Sequence, residues 1–176
     1  MKRIFRVTAG YISTKLIVAF MFLAPLPTGK VEAHHGFQGQ YDASSPLYLE
    51  GTVQETRWEF PHSTILLKIS TNVQTPQNLR QLTQLNNSEE IFRNLIVPQN
   101  LLGRTQQLEL PPVSLMVTPL RRRLRLGDRI NVIVYRNCLP PNQLRVQFAR
   151  LQDGTTVSRP GTVQTEINGC NSRRKK

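Results

Sequence analysis

The chain predicts a mainly β fold. The expected form is a small five- to six-stranded OB-like β-barrel, with a compact β-sandwich as the alternative, carrying one short helical insertion. Three observations lead there. Several short runs alternate apolar and polar residues with a period of two, the mark of half-buried strands. Pro61, Pro111-Pro112 and Asp153-Gly154 punctuate those runs. One long polar stretch with weak helical spacing, at about 72–105, interrupts the strands once. Five or six such strands closing on one another would leave few exposed edges.

Residues 1–33 precede the fold. Lys2, Arg3 and Arg6 form a positive start, Leu16–Ala24 an apolar core, and Pro25, Pro27 and Gly29 lead to Val31-Glu32-Ala33. That order is the pattern of a secretory signal peptide cleaved after Ala33. The apolar run is well short of the roughly 20 residues a bilayer span needs, so no transmembrane segment is expected after cleavage. A periplasmic or secreted location follows.

The first strand is predicted around Leu47–Gln54, where Leu47, Leu49, Gly51 and Val53 alternate with Tyr48, Glu50, Thr52 and Gln54. Gly51 within it predicts a bulge or tight bend. Ser63–Ser70 resumes the alternation, with Ile65, Leu67 and Ile69 on one face. The polar insertion follows, with a weak helical pattern from Glu89 to Ile96, and reads as an excursion between strands rather than a core element. Gln106–Leu110 is a further strand, and Val113, Met116, Val117 and Leu120 fall at helical spacing over Val113–Arg123. In Arg129–Tyr135, Ile130, Val132 and Val134 oppose Asn131, Ile133 and Tyr135. In Gln143–Leu151, Leu144, Val146 and Phe148 are expected to face inward. Asp153-Gly154 turns into a short strand over Thr155–Ser158, closing a domain at 34–158. Residues 159–176 form a basic tail.

The whole chain carries a formal charge of +12; five basic residues and one acidic residue fall in 1–33, leaving +8 on residues 34–176. Arg121, Arg122, Arg123 and Arg125, with Arg173-Arg174-Lys175-Lys176, make possible an anion contact with an envelope component or a protein partner. The plainer reading is that the charge keeps a secreted protein soluble. No aromatic residues are interleaved with the arginines, so no specific nucleic acid is expected. Cys138 and Cys170 are the two cysteines. In an oxidising compartment such a pair most often forms a disulfide.

His34-His35-x-Phe37, Tyr41-Asp42, Leu49-x-Gly51-Thr52-Val53, Trp58 and Pro61-His62 follow one another in fixed order. Together they resemble a family of small exported bacterial proteins known only as a domain of unknown function. Leu108-Glu109 with Pro112, Leu126-Gly127-Asp128-Arg129 and Asp153-Gly154 are similar to its second half. The chain departs from the family pattern at Gly36 and Phe60. What the resemblance implies is a fold; the family supplies no activity.

The three histidines carry the one chemical proposal. Cleavage after Ala33 would leave His34 as the new N-terminus, whose amine and imidazole chelate a metal together. His62, after Pro61, would bring a second imidazole, a nitrogen set suited to copper. His35 is a further ligand or a bystander, and zinc is the alternative ion, with Asp42 or Glu59 supplying an oxygen. The plainer reading is a polar N-terminus and a histidine satisfied by the backbone. Trp58 is expected to pack against Pro61 and close one end of the core, with stacking on a sugar or base as the alternative. Glu55 and Glu59 are expected to be exposed. Neither paired carboxylates, a nucleophile elbow nor a phosphate loop occurs, so no enzymatic activity is expected.

Overall fold

The computed structural model describes residues 41–59, 62–76, 88–139, 141–160 and 170. The predicted signal peptide, His34, His35, Phe60, Pro61 and the basic residues 173–176 lie outside them. In chain order the elements are β1 (Tyr41–Arg57), β2 (Thr64–Ile69), α1 (Ser88–Arg93), a 3₁₀ turn (Gln99–Leu101), β3 (Thr105–Glu109), α2 (Ser114–Arg123), β4 (Arg129–Asn137), β5 (Leu144–Arg150) and β6 (Thr156–Ser158). Every strand expected from the alternation is present.

The six strands form one sheet in the order β3-β2-β1-β4-β5-β6, with β3 and β5 also paired. The hydrogen bonding therefore returns on itself through β1, β2, β3, β5 and β4, and β6 extends β5. The closing contact is parallel and short, Leu108 opposite Leu144 and Glu109 opposite Arg145. β1 is long enough to serve two partners. Its first part pairs β4 and its last part β2, and Gly51 and Thr52 pair with both. Register shifts between Asp42 and Leu47 and between Val53 and Glu55 bend it, as bulges do.

The expected bulge is thus displaced from Gly51 to Gln54. Gly51 answers a different need. A Cβ there would collide with the Lys68 carbonyl oxygen of β2 and come within 2.9 Å of the Leu67 side chain. The glycine lets two backbones approach where the strand turns.

One face of the sheet is the predicted core. Leu47, Leu49 and Val53 join Ile65, Leu67, Ile69, Ile130, Val132 and Val134, all buried. Each such side chain contributes about 1.5–3 kcal/mol by leaving water. α2 adds Met116 and Leu120, one turn apart.

The other face differs from expectation, because it is buried too. Tyr48 pairs with Ile133, and Ile133 with Phe148, so the three share that face. Phe148 was expected beside Leu144 and Val146. The register shift in the β4–β5 pairing, between Ile133 and Val134 opposite Gln147, reverses its phase, and Ala149 takes the place opposite Val132. The insertion is tied to β1 and joins the apolar cluster. Ile96 exchanges backbone hydrogen bonds with β1, its amide donating to the Pro46 carbonyl (2.9 Å) and its carbonyl accepting from Tyr48 (2.9 Å). Ile91 of α1 is buried within the same apolar cluster, and Phe92, Leu95 and Val97 pack against it. The segment read as a polar excursion is therefore part of the core. Cys138 and Cys170 form a disulfide, with Cα atoms 5.1 Å apart.

Candidate functional site at the seam between β3 and β5

Where the hydrogen-bonded ring closes, all five of its strands contribute a residue from one end. Tyr41 opens β1, His62 lies just before β2, Glu109 ends β3, Asn137 ends β4, and Arg145 is second in β5. The register forces this meeting, since Glu109 lies opposite both Thr64 and Arg145, and Tyr41 opposite Asn137.

Glu109 is the centre. Its Oε1 accepts a hydrogen bond from Arg145 Nη2 at 2.6 Å. The same oxygen lies 2.6 Å from His62 Nδ1, at ion-pair distance but without in-line hydrogen-bond geometry. The side chains of Glu109 and Arg145 are only 12 % and 8 % exposed. Two buried opposite charges are tolerable only because each neutralises the other. The Arg145 guanidinium also stacks over the Tyr41 ring, 4.2 Å from its centroid, a cation–π contact strengthened by the shortage of water. Arg145 Nε is buried without a hydrogen-bond partner.

Tyr41 responds to the same environment. Burial pushes its hydroxyl up to about 12, the Arg145 charge pulls it down, and the Glu109 charge and hydrogen bond push it up. Asn137 supplies an opposing hydrogen bond.

His62 is the member that meets solvent. Its Nδ1 is sealed from water, while the side chain as a whole is 36 % exposed. The exposed part of the side chain therefore does not include Nδ1. Metal-ligating histidines commonly set the other ring nitrogen against a carboxylate, and His62 Nδ1 lies beside that of Glu109.

Residues 26–89 match a family described as "Family of unknown function (DUF6152)". No curated protein matches the chain. The matched stretch includes Tyr41 and His62 of the cluster and ends before Glu109, Asn137 and Arg145.

The remaining expected site residues are dispersed. Among the described residues no three of His, Cys, Asp and Glu converge as a metal site. Asp42 accepts hydrogen bonds from the amide and hydroxyl of Ser44 (3.0 and 2.5 Å), which hold the bend at the start of β1. Glu59 and Glu55 are exposed. Trp58 is half-buried and packs against the core cluster; its expected partner Pro61 lies outside the described residues.

Two of the four arginines have partners within the fold. Arg123 meets Asp153 (3.1 Å) and Thr155 (3.3 Å). Arg125 folds back onto the carbonyls of Arg122 (2.8 Å) and Leu124 (2.9 Å), at the C-terminal end of α2, where cations are favoured. Arg121 and Arg122 are exposed. No helix among the described residues is long and apolar enough to cross a membrane.

The sequence singles out His62 as a metal ligand but not Glu109 or Arg145, which lie in the same cluster. A signal existed for the second. β5 reads Leu-Arg-Val-Gln-Phe-Ala-Arg, and Arg145, unlike the terminal Arg150, stands within its apolar run, where a charge needs a buried partner.

Proposed function

We propose that this is an exported, non-enzymatic protein with an OB-like barrel that holds copper or zinc through His62 and the N-terminal His34 of the processed chain. The observation that carries this reading is the place of His62, with Nδ1 beside Glu109 and the side chain partly exposed. Export rests on the leader-like residues 1–33, and the disulfide fits an oxidising compartment. The barrel reading is supported by the ring order β1-β2-β3-β5-β4 with a helix between β3 and β4.

Chain length permits the ligand set. Seven residues, 34–40, precede Tyr41, which contacts the Glu109 cluster. At about 3.3–3.6 Å each they reach up to about 24 Å. The terminal amine and imidazole of His34 would chelate the ion, His62 Nε2 would complete a three-nitrogen set, and His35 would be a further donor. Glu109 would orient His62 without touching the metal.

Calorimetric titration with Cu²⁺ and Zn²⁺ tests this, comparing protein that begins at His34 with protein carrying one extra residue before it. The expected result is tight binding by the first form only, lost in His62→Ala. In Glu109→Gln the affinity should fall about 10–100-fold. Equal affinities for the two termini would remove the proposal. The competing reading is a module for an anionic envelope component, using Arg121 and Arg122. It predicts binding that weakens steeply with salt and survives His62→Ala.

A further inference from the structure

Beside the connection from β1 to β2 lies a cavity of about 280 Å³ that the metal reading does not use. Trp58 and Glu59 come from the end of β1, Ser63 precedes β2, and Ser114, Thr118 and Arg121 come from α2. Val117 completes an apolar wall with the indole, and both are held by packing against the core. The cavity therefore has an aromatic and aliphatic side anchored on the core.

Its polar groups are of an unusual mixture for so basic a chain. One carboxylate, Glu59, and one guanidinium, Arg121, line the same space, and they do not pair with each other among the salt bridges of the described residues. An anionic ligand would meet Glu59 and a cationic one Arg121. A neutral ligand rich in hydroxyls satisfies both, donating to the carboxylate and accepting from the guanidinium, with the hydroxyls of Ser114 and Thr118 able to do either. The aromatic side calls for a ligand with a flat apolar face. The volume falls just below the range of drug-sized ligand pockets, roughly 300–1,000 Å³, and suits a single six-membered ring.

We infer that this cavity binds a neutral pyranose unit, its C–H face stacked on Trp58 and its hydroxyls shared between Glu59 and Arg121. The assignment is independent of the metal reading.

Trp58 is the sole tryptophan in the chain, so selectively excited tryptophan emission reports on this cavity. The purified chain, stripped of metal with chelator, is titrated with methyl β-glucopyranoside and with di-N-acetylchitobiose. The expected result is a saturable change in emission with at least one of these. It should weaken about tenfold in Arg121→Ala, which removes a charged donor, and in Glu59→Gln, which leaves only a neutral acceptor. Both residues are exposed, so the variants should fold, and unchanged circular dichroism checks it. His62→Ala should bind as the parent does. The proposal is overturned by three results: no saturable change with either glycoside, equal or tighter binding of glucuronate or adenosine, or undiminished affinity in both cavity variants.

Discussion

Glu109 and Arg145 illustrate what a buried charge pair does for a fold: it adds little when intact and costs much when broken. Removing Glu109 leaves a guanidinium that is 8 % exposed with no counter-charge. Glu109→Ala should therefore destabilise the protein by about 3–5 kcal/mol, read as a lower urea midpoint. Glu109→Gln retains an acceptor for Arg145 and should cost less; equal losses in the two variants would mean that charge is irrelevant at the seam. Tyr41 gives a second residue-scale prediction. Its hydroxyl is raised from 10.0 to about 12, chiefly by burial, and burial raises Tyr48 and Tyr135 further still. A pKa raised on folding stabilises fully below the unfolded value and loses that contribution as pH climbs through the folded one. Stability should accordingly hold up to about pH 10 and decline above it, with urea midpoints at stepped pH as the measurement. Tyrosinate absorbance should lag behind the ordinary phenol titration in the folded protein. None of this cluster could be assembled from the sequence, because its members are brought together by strand register, which spans residues 41 to 145. His62 was legible because a lone histidine after proline stands out by type.

At the scale of elements, alternation located the strands and misjudged their outer faces. A period of two says which residues share a face, and it says nothing of what covers the other. Tyr48, Ile133 and Phe148 are buried on the outer face, and the polarity of 72–105 hid the few apolar residues, Ile91 among them, that join the same cluster. Phe148 was misplaced for a separate reason: a one-residue bulge reverses phase, and nothing in Gln-Phe-Ala announces it. The glycines test the element-level argument directly. Gly51→Ala would press a Cβ into the Lys68 carbonyl and should cost about 1–3 kcal/mol or more, since backbone cannot yield as a side chain does. Gly127 has nothing within 4 Å of the same added atom, yet its φ is +87°. Gly127→Ala should cost only the backbone strain, about 1–2 kcal/mol. Thermal melts of the two variants separate the cases, and a larger loss at Gly127 would contradict the close-approach account of Gly51.

For the molecule as a whole, the weak point is the closing contact between β3 and β5, only two residue pairs long. The disulfide bears on it from a distance. Cys138 follows β4, and the 32-residue separation to Cys170 spans β5 and β6 entirely. The cross-link therefore encloses the strand that closes the ring. By the chain-entropy argument a loop of that length contributes about 3–4 kcal/mol, which corresponds to about 10 °C in melting temperature for a domain of this size. The double variant Cys138→Ser with Cys170→Ser, and the parent under reductant, should both melt lower by that amount. Hydrogen exchange adds a sharper reading, because opening at the seam exposes β5 before β1 or β4. Amides of Leu144 and Arg145 should lose protection first once the cross-link is cut. If protection falls evenly over all six strands, the bond acts on the unfolded chain alone and the seam is no weaker than the rest of the sheet.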